Sequence, residues 1–284
     1  LLIDRDGDGD FTTGTVDVIT ASSYSGGVAT FDNVDFQDGD VFTIGTKLPD
    51  VMLSVKVLLQ GAALGASPGT MRNDLQTFGS TYSEPDILPT TDPYNSSVSY
   101  AQINDPMGAA GAVVDWVEVQ IRSAADPNVI LEQQSLLLQT DGDIVGIDGL
   151  SPKFIPRAEA VHVVIRHRHH LAVMSNAIAV FQDMVSYDFT TGLAQAYKED
   201  SGDPDPMVQV NGKWTMWAGD AFHDGFIDAN DYGAVNTDVA LGIYGLYSLT
   251  DVYMDGFVDA NDFGLTNTNL AIGCYTALVY YNYP

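Results

Sequence analysis

Asp220-Ala221-Phe222-His223-Asp224-Gly225-Phe226-Ile227-Asp228-Ala229-Asn230-Asp231 recurs 31 residues later as Asp251-Val252-Tyr253-Met254-Asp255-Gly256-Phe257-Val258-Asp259-Ala260-Asn261-Asp262. An internal repeat of this kind decides how the last part of the chain is built. Carboxylates stand at positions 1, 5, 9 and 12 of each copy, and glycine at position 6 permits a sharp turn. Position 7 adds a backbone carbonyl, and the whole spacing wraps oxygen donors around one hard cation, calcium. The candidate ligands are Asp220, Asp224, Phe226, Asp228 and Asp231 in the first copy. In the second they are Asp251, Asp255, Phe257, Asp259 and Asp262. A short helix is expected after each loop, from Ala229 and from Ala260, with the last acid near a helix N-terminus that favours negative charge. Phe222 and Tyr253 occupy position 3, where a side-chain oxygen is expected. Two readings stay open: weakened calcium loops completed by water or another segment, or relic loops held by aspartate-to-backbone hydrogen bonds. His223 is not expected to ligate, because its slot points outward and imidazole suits calcium poorly.

The rest of the composition agrees with a loop-borne acid. Of the 38 acidic residues, 33 are Asp and 5 are Glu, against 11 Lys and Arg, for a formal net charge of -27. Asp favours turns, caps and calcium loops, whereas Glu favours helix interiors, so the chain is expected to be mainly β. Such a charge repels nucleic acid and anionic membrane. Cys274 is the single cysteine, so stability outside the cell must come from packing or metal. No apolar run reaches the ~18 residues that span a bilayer. Leu1-Leu2-Ile3 leads straight into an acidic turn without a signal-peptide pattern, so the sequence reads as a fragment that begins inside a strand.

Short β-branched runs separated by turn residues mark the strands. Residues 1–48 read as the end of a β-domain, with strands at 16–20, 28–31 and 41–46. Residues 49–198 read as one antiparallel, immunoglobulin-like β-sandwich. Its strands are expected at 51–60, 113–121, 129–132, 135–139, 143–147, 161–166, 177–181 and 185–189. Residues 61–108 read as a long irregular stretch, which is functional or surface-wrapped. Around Asp115 the alternation breaks, which signals a bulge or burial on both faces. Residues 199–284 read as a polar linker, 199–213, and a small module carrying the acidic loops, anchored by Trp214 and Trp217.

Two further clusters matter. Asp4-Arg5-Asp6-Gly7-Asp8-Gly9-Asp10 holds half a calcium loop, making Asp4, Asp6, Asp8 and Asp10 candidate ligands; Thr15 stands where a twelfth-position acid would close it. The alternative is a polar hairpin turn, which is also the reading for Asp141-Gly142-Asp143. His162, His167, His169 and His170 crowd one strand, with His167 and His169 on one face. Two such imidazoles can seed a zinc site, but with no Glu or Cys neighbour they read as structural, pairing with surplus Asp. Asp115 and Glu118 cannot share a face as paired acids would. No G-x-S-x-G, P-loop, G-x-G-x-x-G or Cys/His nucleophile pair is present, so no enzyme is expected.

In its tandem loops the chain resembles dockerin type I modules, whose repeat reads roughly D-x-N-x-D-G-x-x-D-x-x-D. The matches are Asp220, Asp224, Gly225, Asp228 and Asp231, and Asp251, Asp255, Gly256, Asp259 and Asp262; the departures are Phe222 and Tyr253. The resemblance implies a small α-helical, dockerin-like module, without the helix residues that would identify a cohesin partner. Over most of its length the chain also resembles C-terminal regions of very large secreted Bacteroidota proteins. That resemblance is carried by IDRDGDGDFTTG, KVLLQG, GTMRNDL, DPY, VVDWVEVQIR, LLQTDGDIVGIDG, VIRHRHHLAVMS and KWTMWAGD in order. It implies type IX secretion to the cell surface and a structural or adhesive role. The partners it implies are other domains of the same chain or assembly, a homo-oligomer included. An accessory region of a secreted hydrolase, binding carbohydrate or anchoring the enzyme, and a cohesin-binding dockerin are the alternatives.

Overall fold

The computed structural model describes the chain except residues 12, 46–48, 95, 100–111, 199, 277 and 279–284. Parts of the expected strand at 41–46 and of the expected irregular stretch at 61–108 lie outside the described residues. So does most of the extreme C-terminus. Among the described residues no helix is long and apolar enough to cross a membrane. The chain divides into a small unit, Leu1–Leu48, and a large one, Pro49–Pro284.

In the small unit β1 (Leu2–Asp4) lies between β2 (Val16–Val18) and β5 (Val41–Thr43), both antiparallel to it. The hairpin of β3 (Ser23–Ser25) and β4 (Val28–Thr30) turns at Gly26-Gly27, both at positive φ as such a two-residue turn demands. Ile3 is the one fully buried apolar side chain among its described residues. Arg5 replaces a core with charge, reaching Asp17 and Asp40 at 2.5 and 2.6 Å.

The large unit is mainly β. It begins with β6 (Val51–Lys56), the buried turn α1 (Gln60–Ala63) and α2 (Asp74–Tyr82). The strands β7 (Val113–Ser123), β8 (Ile130–Gln139), β9 (Ile144–Val145), β10 (Lys153–Phe154), β11 (Val161–His167), β12 (His170–Met174) and β13 (Met184–Asp188) follow. Five of these form an antiparallel sheet in the order β12-β11-β7-β8-β9, and a second sheet has the order β10-β6-β13. Apolar side chains of the two sheets meet in one core that includes Val51, Leu53 and Val55 of β6, Val117, Val119 and Ile121 of β7, and Val163 and Ile165 of β11.

Several details differ from the sequence reading. β13 runs parallel to β6, so the sandwich is not wholly antiparallel. The irregular stretch contains α1 and α2, whose Leu75 and Phe78 are core residues. Their apolar spacing is too short to show as a period. Residues 177–181 make isolated bridges rather than a strand. β8 is one strand where two were expected. The break in alternation near Asp115 is a register shift between Val113 and Asp115, and a second follows between Ile121 and Arg122. The expected linker holds a hairpin, β14 (Val208–Val210) with β15 (Lys213–Thr215). Trp217 is buried with Leu171, Ile227 and Cys274, and Trp214 is half-buried against the main core.

The chain closes with α3 (Ala229–Leu241) and α4 (Ala260–Ile272), starting at the expected residues. They do not stand apart from the sandwich. Gly219 donates to the His169 carbonyl at 2.9 Å, and Leu171 to that of Trp217 at 2.8 Å. The Asn269 amide donates to Gln60 Oε1 and to the Ala218 carbonyl, both at 2.7 Å and both buried. That satisfies polar groups that would otherwise penalise the junction.

Candidate metal centre

Each acidic loop is organised by its own carboxylates. Asp220 accepts from the backbone N–H of Asp224 and Gly225, at 3.1 and 3.2 Å. Asp251 accepts from Asp255 and Gly256, at 3.1 and 3.0 Å. Asp224 and Asp255 each accept from the residue two further on, Phe226 and Phe257. Asp228 and Asp259 cap their helices, and Asp231 and Asp262 return a carboxylate to the cap residue's N–H, a reciprocal capping box in both copies. Asp231 and Asp262 also accept from the position-3 residues, Phe222 and Tyr253, at 3.0 and 2.8 Å. Position 6 has φ near +86 in Gly225 and +85 in Gly256, a region costly for any side chain. His223 and Met254 at position 4 also adopt positive φ.

The pair has an internal two-fold relation. Ile227 donates to the Cys274 carbonyl and Val258 to that of Ile243. Thr276 donates to Gly225, and Gly245 to Gly256. In each case a loop bonds to the segment after the other loop's helix, and partners differ by the same 31 positions (258 − 227, 274 − 243, 276 − 245). Each loop is thereby tied to the segment that follows the other loop's helix.

The electrostatics favour a cation. Asp220, Asp231, Asp251 and Asp262 are all at most 1% exposed. Among the described residues none of the four has a Lys or Arg ion pair. Burial, then the charges of Asp231 and Asp224, pushes the Asp220 carboxyl to about 8. Burial raises Asp251 to about 7 despite Arg168, and raises Asp262 to about 7. Asp231 and Asp255 are raised too, again mainly by burial. Desolvated, mutually repelling carboxylates at fixed loop positions are a donor set suited to a hard divalent ion. In residue type and spacing the loops suit calcium, with position 3 contributing no side-chain ligand, but their carboxylates are turned to backbone N–H groups rather than to a common point. Neither loop brings three carboxylates within 4.8 Å of one another.

Surroundings separate the copies. Around loop two, the Arg72 guanidinium donates to the carbonyls of Leu64, Gly61 and Tyr253, the last at 2.5 Å, and lies 4.4 Å from the Tyr253 ring centre. The Phe257 ring packs on Phe78 and Tyr82 at 5.5 and 5.1 Å. Met254 joins the main core. In loop one, Phe222 and Phe226 are more than half exposed. His223 does not point outward as expected. It is half-buried, and burial followed by the charges of His167, Arg168 and Arg166 holds its imidazole at about 4.

Three ligand atoms do lie within 4.8 Å of one another at two other places among the described residues. One is Asp4, Asp6 and Asp8. Asp4 is fully buried and accepts from Asp6, Gly7 and Gly9 N–H, and the Gly9 bond is the leading cause of its lowered pKa. Asp10 is outside this trio; its carboxylate takes the Thr13 hydroxyl at 3.0 Å. The other is His167, His169 and His170, all buried. As expected for structural pairing, His167 Nε2 meets Asp115 at 3.2 Å, Arg168 meets Asp115 at 3.0 Å and Arg166 meets Glu118 at 3.1 Å. Asp115 and Glu118 thus serve different partners. Burial raises the Asp115 carboxyl, but Arg168, His167 and Tyr247 outweigh it and hold it at about 2. Burial drives the Cys274 thiol up to about 12, an inert core group.

No family model and no curated protein matches the chain. Among solved structures it is similar to chains of type II cohesin–X-dockerin complexes from Acetivibrio cellulolyticus. A complex with an N-terminal interface mutation aligns at 15% identity over 54% of this chain and 79% of that one, with a TM-score of 0.32. One with a C-terminal interface mutation aligns at 10% identity over 76% and 93%, with a TM-score of 0.35. Superpositions this loose do not establish a common fold.

Proposed function

We propose that this chain is a non-catalytic structural or adhesive module of a secreted surface protein, in which calcium in the tandem loops locks the α3–α4 pair onto the β-sandwich. The observation that carries it is the set of four buried aspartates, Asp220, Asp231, Asp251 and Asp262, held in two copies of one hydrogen-bond pattern with no Lys or Arg ion pair among the described residues; of the four only Asp251 feels a nearby cation, Arg168. A divalent ion supplies the missing charge, and removing it leaves like charges in a desolvated pocket. The strongly negative surface suits partners that are other protein domains rather than nucleic acid. Asp4, Asp6 and Asp8 form a further calcium candidate in the small unit.

The test is calorimetry of the whole chain in calcium and in chelator. A site at 100 times its dissociation constant adds ~2.7 kcal/mol, or about 5–10 °C for a unit of this size. Equal melting in both buffers sinks the calcium reading. A cohesin-binding role is the second reading, favoured by the matched exposure of Leu241 and Ile272, 31 positions apart at the ends of α3 and α4 (272 − 241). It predicts calcium-dependent capture of a cohesin domain that chelator abolishes.

A further inference from the structure

We propose that His167, His169 and His170 form a zinc site at the β11–β12 hairpin, distinct from the aspartate loops. The hairpin is the reason these side chains converge. His167 and His170 face each other across a two-residue turn, Arg168-His169, so that residues i, i+2 and i+3 share one tip. A ring nitrogen from each lies within 4.8 Å of one from each of the others. The ring centres are 4.7–4.8 Å apart. The tip is fixed by the segment leading to loop one, through the Gly219-to-His169 and Leu171-to-Trp217 backbone bonds.

His169 carries the argument. It is 0% exposed, and neither of its ring nitrogens has a hydrogen-bond partner. A buried imidazole with both nitrogens unsatisfied is costly, and one metal bond removes the larger part of that cost. Imidazole suits zinc and is a poor ligand for calcium, so this site and the aspartate loops select different ions. His167 is oriented for ligation by a carboxylate on its far ring nitrogen. Its Nε2 meets Asp115, which is in turn held by Arg168 and the Tyr247 hydroxyl, leaving Nδ1 toward His170 Nδ1 at 2.9 Å. A tetrahedral zinc with bonds of about 2.0–2.1 Å spaces its nitrogens by about 3.3 Å, so zinc would replace the hydrogen bond now joining the two Nδ1 atoms, the proton between them moving off, while the rings part slightly. Zinc on His170 Nδ1 places that ring's proton on Nε2, and the long 3.4 Å contact from the Gly61 N–H must then open. Arg168 is the opposing charge, balanced by Asp115 and by Asp251. Three histidines converge, so water would complete the coordination; His223 of loop one is within electrostatic range of His169 but is not one of the converging ligands.

The test uses the full chain, stripped of metal and then saturated with calcium so that the loops are occupied. Zinc titrated by calorimetry should bind at one saturable equivalent. Cobalt substituted for it should show the intense visible bands of a four-coordinate site. His169→Gln should remove that equivalent, and Asp6→Asn with Asp8→Asn, in the acidic cluster of the small unit, should leave it intact. If His169→Gln does not fold, zinc X-ray absorption on the unaltered chain decides, with three imidazole scatterers expected. No saturable zinc, a six-coordinate cobalt spectrum, an all-oxygen shell, or an equivalent that survives His169→Gln would each overturn the proposal.

Discussion

Loop one shows Phe222 and Phe226 to solvent, and its position-4 residue, His223, is half-buried within electrostatic range of His167. Loop two turns the same positions inward: Tyr253 against Arg72, Phe257 against Phe78 and Tyr82, Met254 into the main core. Yet the carboxylate-to-backbone bonds are the same in both, residue for residue. Loop conformation is therefore fixed locally by aspartate and glycine spacing, while what each loop contributes to the unit is fixed by what packs around it. One copy acts as an anchor and the other as an outward face.

The largest expected effect attacks the anchor. A Cβ on Gly61 would lie 1.9 Å from the Val252 carbonyl oxygen, a backbone atom that cannot swing aside. Gly61→Ala should destabilise the large unit by about 3 kcal/mol or more, read as a lowered denaturant midpoint. Gly233→Ala in α3 is the counterpart, since nothing lies within 4 Å of its added methyl. It should stabilise by about 0.5–1 kcal/mol through helix propensity. Equal effects at the two positions would erase the distinction between anchored and outward copies.

Calcium removal comes next. Asp251→Asn and Asp220→Asn should each abolish one loop's share of the calcium-dependent stabilisation, about 2.7 kcal/mol at 100 times the dissociation constant. The loop-two variant should lower the main calorimetric transition, because Tyr253 and Phe257 tie that loop to the core. The loop-one variant should instead split off an early, smaller transition. The pH dependence sharpens this. In metal-free protein the folded Asp220, Asp251 and Asp262 carboxyls are raised from 3.8 to about 8, 7 and 7. The folded state then binds more protons than the unfolded one between those values, so stability is fullest at low pH and is lost as pH rises through about 7–8. With calcium bound the carboxylates stay ionised, and acid should release the ion instead. Melting in chelator should thus improve from pH 8 to pH 6, and melting in calcium should not; parallel curves would count against calcium in the loops.

These contrasts also mark what the sequence can say. The loops, their helix starts at Ala229 and Ala260 and the break near Asp115 are local patterns, visible in spacing alone. The anchoring is not, because Arg72, Phe78 and Gly61 come from a stretch whose helices span four and nine residues, too short to show a period. β13 pairs parallel to β6 across more than 120 residues, a register that no local pattern encodes. The histidines were readable as a cluster. Their convergence depends on the two-residue turn at Arg168-His169, which has none of the glycine or asparagine that usually announces one. The inward slot of His223 follows from a positive φ that its residue type hides.

The smallest effect tests position 3, where both loops depart from the calcium pattern. Phe222 is 58% exposed, so Phe222→Asn costs loop one little packing and returns a side-chain oxygen to the ligand set. Calcium affinity at loop one should rise about tenfold, worth ~1.4 kcal/mol. Tyr253→Asn adds the same oxygen to loop two, but it removes the ring stacked on Arg72, a contact worth about 0.5–1 kcal/mol when partly exposed. It also loosens the guanidinium that holds the Gly61 and Tyr253 carbonyls. The gain and the loss should nearly cancel, leaving loop-two affinity within about threefold of its starting value. Titration calorimetry on the two variants decides the matter. A tenfold gain at both loops would mean that Tyr253 contributes nothing to anchoring. No gain at Phe222→Asn would mean that the first loop's remaining oxygens do not converge on an ion.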